Sequence, residues 1–204
     1  MQFFRNLFSQ PKDDLDPAMK YLIIGLGNPG SKYQNNRHNI GYLALDHLAD
    51  KREKEFTGDR YGHTLTITHR GRRLVLLKPG TFMNLSGKAF RYHVKKHGTP
   101  LSNVLVVTDD IALPFGKLRM RARGSHGGHN GLRDIIEVME NQEFPRLRVG
   151  VGSDFPKGGQ ADYVLADFPQ EESKQLPELL VRIEKFILDF AGIGIDRAMS
   201  ANNG

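Results

Sequence analysis

Short apolar runs alternate along the chain with segments whose hydrophobic residues recur every three or four positions. The apolar and alternating runs predict six strands, at residues 21–26, 61–68, 73–78, 103–108, 117–123 and 146–151. Helical spacing predicts helices at residues 40–51, 86–97, 132–139 and 176–190. Ser86 is placed to cap the second of these helices. We therefore expect an α/β fold, a single-domain three-layer α/β/α sandwich with a mixed central sheet.

Residues 1–18 precede the first predicted strand and differ from the rest of the chain. They lack the long apolar run of a secretory signal, and Asp13, Asp14 and Asp16 argue against a mitochondrial presequence. We expect a flexible N-terminal extension at 1–18 and one domain over 19–204. No apolar stretch approaches the length of a membrane span, and the absence of cysteine suits a reducing compartment. These features predict a cytoplasmic protein.

Charge bears on the kind of partner. The chain has 29 Lys and Arg against 23 Asp and Glu, a formal net charge of +6, which favours a polyanionic partner without identifying one. Four of the cations, Lys117, Arg119, Arg121 and Arg123, alternate with apolar residues and would share one face of an extended strand. A solvated strand face is the alternative, but such a face usually mixes charge signs. The pattern favours an anionic ligand held through its phosphates.

Four polar loop segments follow predicted strands, where the sites of open α/β sheets usually lie: residues 25–41, 78–87, 108–116 and 124–132. His38 is the side chain best suited to abstract a proton near neutral pH, and Asp109, at the end of a buried strand, could orient it. A surface histidine is the alternative. Cysteine and the G-x-S-x-G pattern are both absent, so a His with an Asp suggests direct attack by water on an activated bond such as an ester.

Three asparagines lie at predicted strand or helix ends. Each has an ordinary explanation, since Asn28 could form a turn, Asn84 could be a loop residue and Asn130 could cap a helix. Together with the histidine and aspartate they suggest a site, because an amide side chain offers both the donor and the acceptor that a peptide backbone requires. Carboxylates in the same positions would repel a substrate that carries phosphates.

The glycines at 25, 27 and 30 match a dinucleotide-binding fingerprint, which would indicate a nucleotide-dependent oxidoreductase. Pro29 removes one backbone N–H from that loop, and no acidic residue follows a clear second parallel strand at the expected distance. The match therefore carries little weight.

Two histidine pairs raise the question of a metal. His93 and His97 have helical i,i+4 spacing, but without a third ligand nearby they predict a solvated helix face. His126 and His129 flank two glycines, and a phosphate-binding loop is preferred there over a metal site.

Five segments taken together resemble the bacterial peptidyl-tRNA hydrolases, in the same order and at matching separation: GLGNPGSKYQNNRHNIG, KPGTFMNLSG, TDDIALPFGKLRMR, GGHNGLRDI and RLRVGVG…DYVL. The resemblance runs from about Met19 through the C-terminal helix. It implies cleavage of the ester between a peptide and the 3′ end of tRNA, by a monomer that needs no cofactor or metal.

The resemblance also implies roles for individual residues. His38 would be the general base and Asp109 its orienting partner, while Asn28 and Asn84 would position the attacking water and the peptide carbonyl. Asn130 would contact substrate and help to hold the water. The remaining assignments are peptide-groove residues (Tyr33, Met83) and cations for tRNA and its 5′ phosphate (Lys117, Arg119, Arg121, Arg148).

The match has two departures. Ala112 stands where relatives usually carry an acidic residue, and the loop at 153–156 differs from the commoner short loop. Neither touches the proposed base and its partner. A second hypothesis is a hydrolase-like scaffold that binds RNA without cleaving it, as plant organellar relatives in intron splicing do.

Overall fold

A seven-stranded mixed sheet runs through the centre of the structure, a computed structural model that describes residues 15–203. The order across the sheet is β2-β3-β4-β1-β5-β7-β6. The strands are β1 (Lys20–Gly25), β2 (Thr57–Asp59), β3 (Gly62–His69), β4 (Arg72–Pro79), β5 (Val104–Asp110), β6 (Leu118–Arg121) and β7 (Arg146–Gly150). β1 is parallel to β4 and β5, and β5 is parallel to β7. The remaining neighbours pair antiparallel. Because β4, β1, β5 and β7 run parallel to one another, their carboxyl ends meet at the same edge of the sheet.

Helices cover both faces of this sheet. They are α1 (Ile40–Asp50), α2 (Ser86–His97), α3 (Asn130–Met139), α4 (Gln160–Leu165), α5 (Gln170–Ser173), α6 (Leu176–Ile193) and α7 (Ile195–Asn202). One core contains residues of α1, α6 and α7, and the other contains residues of α2 and α3. Successive residues of β1 alternate between these cores, Ile23 in the first and Leu22 and Ile24 in the second. The three-layer α/β/α sandwich with a mixed sheet is thereby confirmed.

Three glycines bring the start of α1 against the end of β1. A Cβ on Gly25 would lie 2.2 Å from the carbonyl oxygen of Gly41, and one on Gly41 would lie 2.4 Å from the backbone nitrogen of Leu26. A Cβ on Gly27 would meet the ring of Tyr42 at 2.6 Å. Two glycines of the apparent dinucleotide fingerprint, Gly25 and Gly27, therefore serve helix–strand packing, and this close approach fixes the residues immediately before α1 beside the strand ends.

Most predicted elements are present with shifted ends, but two local expectations are wrong. Ser86 is the first residue of α2 and not its cap, because its hydroxyl donates to the carbonyl of Met83 while Leu85 occupies the N-cap position. β6 spans only Leu118–Arg121, so Lys117 and Arg123 lie outside the strand. The four alternating cations therefore do not share one strand face. The short edge strand β2 was not predicted.

The boundary expected at residue 19 falls within a short ordered segment. Pro17–Met19 forms a 3-10 turn, and the Asp16 side chain accepts a hydrogen bond from the backbone N–H of Ala18. The amide of Asn103 donates to the carbonyls of Ala18 and Lys20. Positions 1–14 of the expected extension lie outside the described residues. Within 15–203, no helix is long and apolar enough to cross a membrane.

Candidate active site

His38 and Asp109 form a buried pair at the carboxyl end of the central strands. His38 lies in a 3-10 turn that precedes α1, and Asp109 lies near the end of β5; they are 8% and 3% exposed. Nδ1 of His38 is 2.9 Å from Oδ1 of Asp109. Because a carboxylate only accepts hydrogen bonds, Nδ1 carries the proton and Nε2 keeps its lone pair. The structure places these two residues in contact and leaves Nε2 of His38 without a proton, while their catalytic roles stay predictions.

The two charges of this pair shift both pKa values. Burial by itself lowers the pKa of His38, but the charge of Asp109 and the hydrogen bond to it outweigh burial, so the pKa is raised above 6.5. Burial by itself raises the pKa of Asp109, but the charges and hydrogen bonds of His38 and His129 hold it well below its usual range. Asp109 is therefore ionised throughout the physiological pH range, and His38 is neutral only above its raised pKa.

His129 joins this pair, which sequence reasoning missed. Its Nδ1 accepts the backbone N–H groups of Gly131 and Leu132 and so caps α3, which places the ring proton on Nε2. That nitrogen donates to Oδ1 of Asp109 at 3.0 Å and lies 2.8 Å from the hydroxyl of Thr108. The His129 side chain is not free to bind a phosphate, since both ring nitrogens are committed to the cap and the carboxylate. The phosphate-binding loop expected between His126 and His129 stays a prediction. Asn130 is the first residue of α3 and His129 occupies the N-cap position, so the alternative explanation of Asn130 as a helix cap is wrong.

Asn28 is held rigidly by hydrogen bonds on three of its groups. Its backbone N–H donates to the side chain of Asn39 at 2.9 Å, and the Asn39 amide donates back to the Asn28 carbonyl at 3.0 Å. Its side-chain Oδ1 accepts the backbone N–H of Met83 at 2.8 Å. The acceptor of the Asn28 amide is thereby occupied, and its Nδ2 group is the part left to offer donors. Asn28 can thus donate to a water, a carbonyl or an oxyanion.

Of the two peptide-groove candidates, Met83 contacts Asn28 and Tyr33 contacts the neighbouring Phe82. Tyr33 packs edge-on against the exposed ring of Phe82, with centroids 6.4 Å apart. Met83 is only 4% exposed and belongs to the core beneath α2, and Asn84 next to it is exposed. A Cβ on Gly131 would meet both Met83 and His129. The region formed by Asn28, Met83 and Asn84, here called the Asn28 lobe, therefore adjoins the histidines.

A cavity of about 680 Å³ opens over the histidines. Its lining includes His38, Asp109, His129 and Asn130, the cations Arg121, Arg123, Arg146 and Arg148, and also His126. Lys117 and Arg119 do not line it, nor do the residues of the Asn28 lobe. The site therefore consists of the cationic cavity and, adjoining it, the Asn28 lobe, which is lined by apolar and amide side chains. His38 lies at their junction.

The cations at this cavity have distinct surroundings. Arg119 on β6 is paired in register with Arg148 on β7, and Arg148 binds the carboxylate of Asp110. Burial, Arg119 and Arg148 lower the pKa of Arg121, which marks a crowded positive surface. Arg146 is instead structural, since its guanidinium donates to four backbone carbonyls, those of Gly124, Ser125, Gln142 and Phe144.

Two groups of side chains in residues 15–203 have the composition of a metal site, with ligand atoms within 4.8 Å of one another: His38, Asp109 and His129, and Asp59, His93 and His97. In the first group one carboxylate oxygen already accepts hydrogen bonds from both rings, an arrangement that orients a base. In the second, His93 is 0% exposed. The expectation of a solvated face at His93 is therefore wrong, because the β2–β3 hairpin covers it.

Known proteins match almost the whole described chain. A family model described as peptidyl-tRNA hydrolase matches residues 22–204. The peptidyl-tRNA hydrolase of Cytophaga hutchinsonii is 53% identical over 185 residues, covering 91% of this chain and 98% of that protein. That of Bacteroides fragilis is 50% identical over 185 residues, covering 91% and 99%. The crystal structure of the Acinetobacter baumannii peptidyl-tRNA hydrolase superposes with a TM-score of 0.82 at 32% identity, covering 92% and 96%. The chain belongs to the peptidyl-tRNA hydrolase family.

Proposed function

We propose that this chain hydrolyses the ester bond between a peptide, or an N-substituted aminoacyl group, and the 3′ end of tRNA, and so recycles tRNA from peptidyl-tRNA released by ribosomes. The observation that carries the proposal is the buried His38–Asp109 pair, whose hydrogen bond leaves Nε2 of His38 as a base at the cavity. Family membership supplies the substrate class, and the geometry supplies a group able to activate water.

In this mechanism Nε2 of His38 takes a proton from a water molecule as the water oxygen attacks the ester carbonyl. The tetrahedral intermediate then collapses, and the imidazolium returns the proton to the departing 3′ oxygen of the tRNA. Asp109 keeps the ring in the required tautomer and stabilises the imidazolium. No covalent enzyme intermediate is formed, and the ring ends each cycle neutral.

The amide side chains position the reacting groups. Asn28, with its Oδ1 held by Met83, donates from Nδ2 to the carbonyl oxygen as negative charge develops there or to the attacking water. Asn130 opens the first turn of α3 at the cavity wall, where it contacts the substrate and helps to hold the water. Asn84 contacts the peptide backbone, and Tyr33 and Met83 line the peptide side.

The cations hold the nucleic acid. Arg121 and Arg148 line the same cavity as His38 and bind the 5′ phosphate at the acceptor end of tRNA, with Lys117 and Arg119 extending the basic surface. Contacts of this kind depend on charge and not on base sequence. We propose that the protein acts as a cytoplasmic monomer without a cofactor. The residues of the cavity all come from a single chain, which supports the monomer.

The test is release of free tRNA from an N-acetyl-aminoacyl-tRNA by the purified protein, with His38→Ala beside it. We expect cleavage by the wild type and a rate about 10²–10⁴-fold lower in the variant. His69→Gln, a histidine on β3 outside the cavity, is the matched control and should cleave at the wild-type rate. If neither the wild type nor the variant cleaves but both bind tRNA, the RNA-binding scaffold replaces this proposal.

A further inference from the structure

A second histidine cluster lies at the opposite edge of the sheet from the cationic strand β6. His93 and His97 are one turn apart on α2, and their rings stack with centroids 5.7 Å apart and planes inclined by 14°. Asp59, at the end of the edge strand β2, completes the group, and the three ligand atoms lie within 4.8 Å of one another. The helix therefore presents two imidazoles to a carboxylate on a neighbouring hairpin.

The hydrogen bonds of His93 leave one ring nitrogen ready to coordinate. Nε2 of His93 is 2.8 Å from the carbonyl oxygen of Arg60, which only accepts, so the ring proton is on Nε2 and the lone pair is on Nδ1. Nδ1 of His93 and Nε2 of His97 are both buried without a hydrogen-bond partner among the described residues. A metal-ligating histidine commonly donates its other ring N–H to a backbone carbonyl, as His93 does. Two unpartnered buried nitrogens on adjacent rings call for a ligand.

The unpartnered ring nitrogens suit a metal ion, because a nitrogen that coordinates a metal must offer a free lone pair. The opposing feature is Lys96, whose ammonium binds Asp59 and would have to leave; its side chain is 39% exposed and free to swing into solvent.

We propose that Asp59, His93 and His97 bind one transition-metal dication of the Zn²⁺ class, with water at the remaining position. Two imidazole nitrogens and one carboxylate oxygen are ligands that Zn²⁺ accepts in tetrahedral geometry. With bonds of about 2.0–2.1 Å the donor atoms of such a site are about 3.3 Å apart, so ligand atoms that lie within 4.8 Å of one another need to close by at most about 1.5 Å. The ion would fasten the β2–β3 hairpin to α2, away from the hydrolytic cavity.

The experiment is titration of the metal-free protein with Co²⁺, followed by its visible absorption, and with Zn²⁺ in competition. The wild type should bind one ion at this site with the strong visible bands of tetrahedral Co²⁺, and Zn²⁺ should raise the melting temperature. His97→Gln and Asp59→Asn should each lose those bands and weaken affinity by more than about tenfold. His69→Gln is the matched control, and His38→Gln tests whether the bands arise instead from the active-site histidines.

Lys96→Met should bind Co²⁺ more tightly than the wild type, and this result distinguishes a metal site from a purely structural cluster. Removal of the cation that competes for Asp59 should tighten Co²⁺ binding by about tenfold or more, whereas loss of a structural ion pair leaves metal affinity unchanged. Hydrolysis by His97→Gln should equal that of the wild type, which also shows that the variant folds. Absence of the bands in the wild type, their survival in His97→Gln, or their loss in His38→Gln alone would overturn the proposal.

Discussion

Nδ1 of His38 lies 2.9 Å from Oδ1 of Asp109, with both side chains almost fully buried. The same oxygen accepts a second hydrogen bond, from Nε2 of His129 at 3.0 Å. One carboxylate oxygen therefore joins a residue that precedes α1 to the residue that caps α3. The orientation of the His38 ring consequently depends on three elements that are distant in sequence, with Asp109 as the point where they meet.

Asp109→Asn should move the pH dependence of hydrolysis. The Asp109 charge raises the pKa of His38, and the proposed base can accept a proton only when neutral, so the wild-type rate should fall as pH decreases through a value above 6.5. Without that charge the pKa of His38 drops, and the acid limb should shift to lower pH while the plateau falls by about 10²–10⁴-fold. Profiles of kcat/KM between about pH 5 and 9 measure both effects. An acid limb that stays in place in the variant would show that another group is the base.

The same pair makes a defined contribution to stability. Since the folded-state pKa of His38 is raised, its stabilisation is fully present below the unfolded value of about 6.5 and is lost as pH rises through the folded value. The free energy of unfolding of the wild type minus that of His38→Gln should therefore decrease over that window. Urea denaturation at several pH values measures this difference. A difference that grows with rising pH contradicts the sign of the shift.

Asn28→Asp isolates the donor role of the amide. The variant keeps an oxygen for the backbone N–H of Met83, so the local fold should persist, but it replaces the Nδ2 donor with a negative charge. We expect kcat to fall by about 10²–10³-fold, the usual cost of one lost donor to a developing oxyanion. Circular dichroism and tRNA-release kinetics on the same sample distinguish a chemical defect from unfolding. Near-normal kcat would mean that Asn28 serves only to hold Met83.

Charge reversal at Arg121 should act on tRNA binding and spare the chemistry. Arg121→Glu should raise KM for N-acetyl-aminoacyl-tRNA and leave a short peptidyl-nucleotide substrate almost unaffected, because only the former has phosphates that reach the β6–β7 surface. The salt dependence of KM should weaken in parallel. Arg197→Glu, an exposed cation on α7, is the control. Equal losses on both substrates would place Arg121 in the catalytic chemistry or in the packing of the cavity.

Several parts of this structure follow from local patterns in the sequence. β1 and β5 were predictable because both faces of each strand are covered, which requires continuous apolar runs. Asp109 lies near the end of β5, and His38 lies in the polar segment between β1 and α1, so both fall in the segments where sites of such sheets are expected. β2 was not, because the three residues Thr57–Asp59 carry no apolar pattern and pair only at a sheet edge.

The missed histidines depend on contacts between distant segments. His129 looked like part of a glycine loop, and its role follows from the position of Asp109, 20 residues earlier in the chain. His93 looked exposed because helical spacing reveals a face but not what covers it, and here the carbonyl of Arg60 reaches it from the hairpin. Such contacts are set by tertiary packing, which the helical spacing of residues in the sequence does not encode.

Substitution of Arg146 should lower the stability of the protein directly and its activity indirectly. Its buried guanidinium donates to the carbonyls of Gly124 and Ser125, which begin the glycine-rich segment that leads to His129, and burial lowers its pKa to about 10. Arg146→Lys keeps the charge but has too few donors in the wrong geometry to satisfy four carbonyls. We expect the free energy of unfolding to fall by about 1–3 kcal/mol, the cost of leaving buried acceptors unpaired.

At temperatures where Arg146→Lys is still folded, its activity should be lower than that of the wild type. The reason is that a looser segment at 124–128 lets the cap of α3 and the His129–Asp109 hydrogen bond shift. Thermal unfolding and tRNA release at about 15 °C, well within the folded range, separate the two effects. Arg91→Lys, at an exposed position on α2 outside the cavity, is the control and should change neither. If Arg146→Lys loses stability but keeps full activity, the segment is held in place by its other contacts, and Arg146 stabilises the fold without positioning the site.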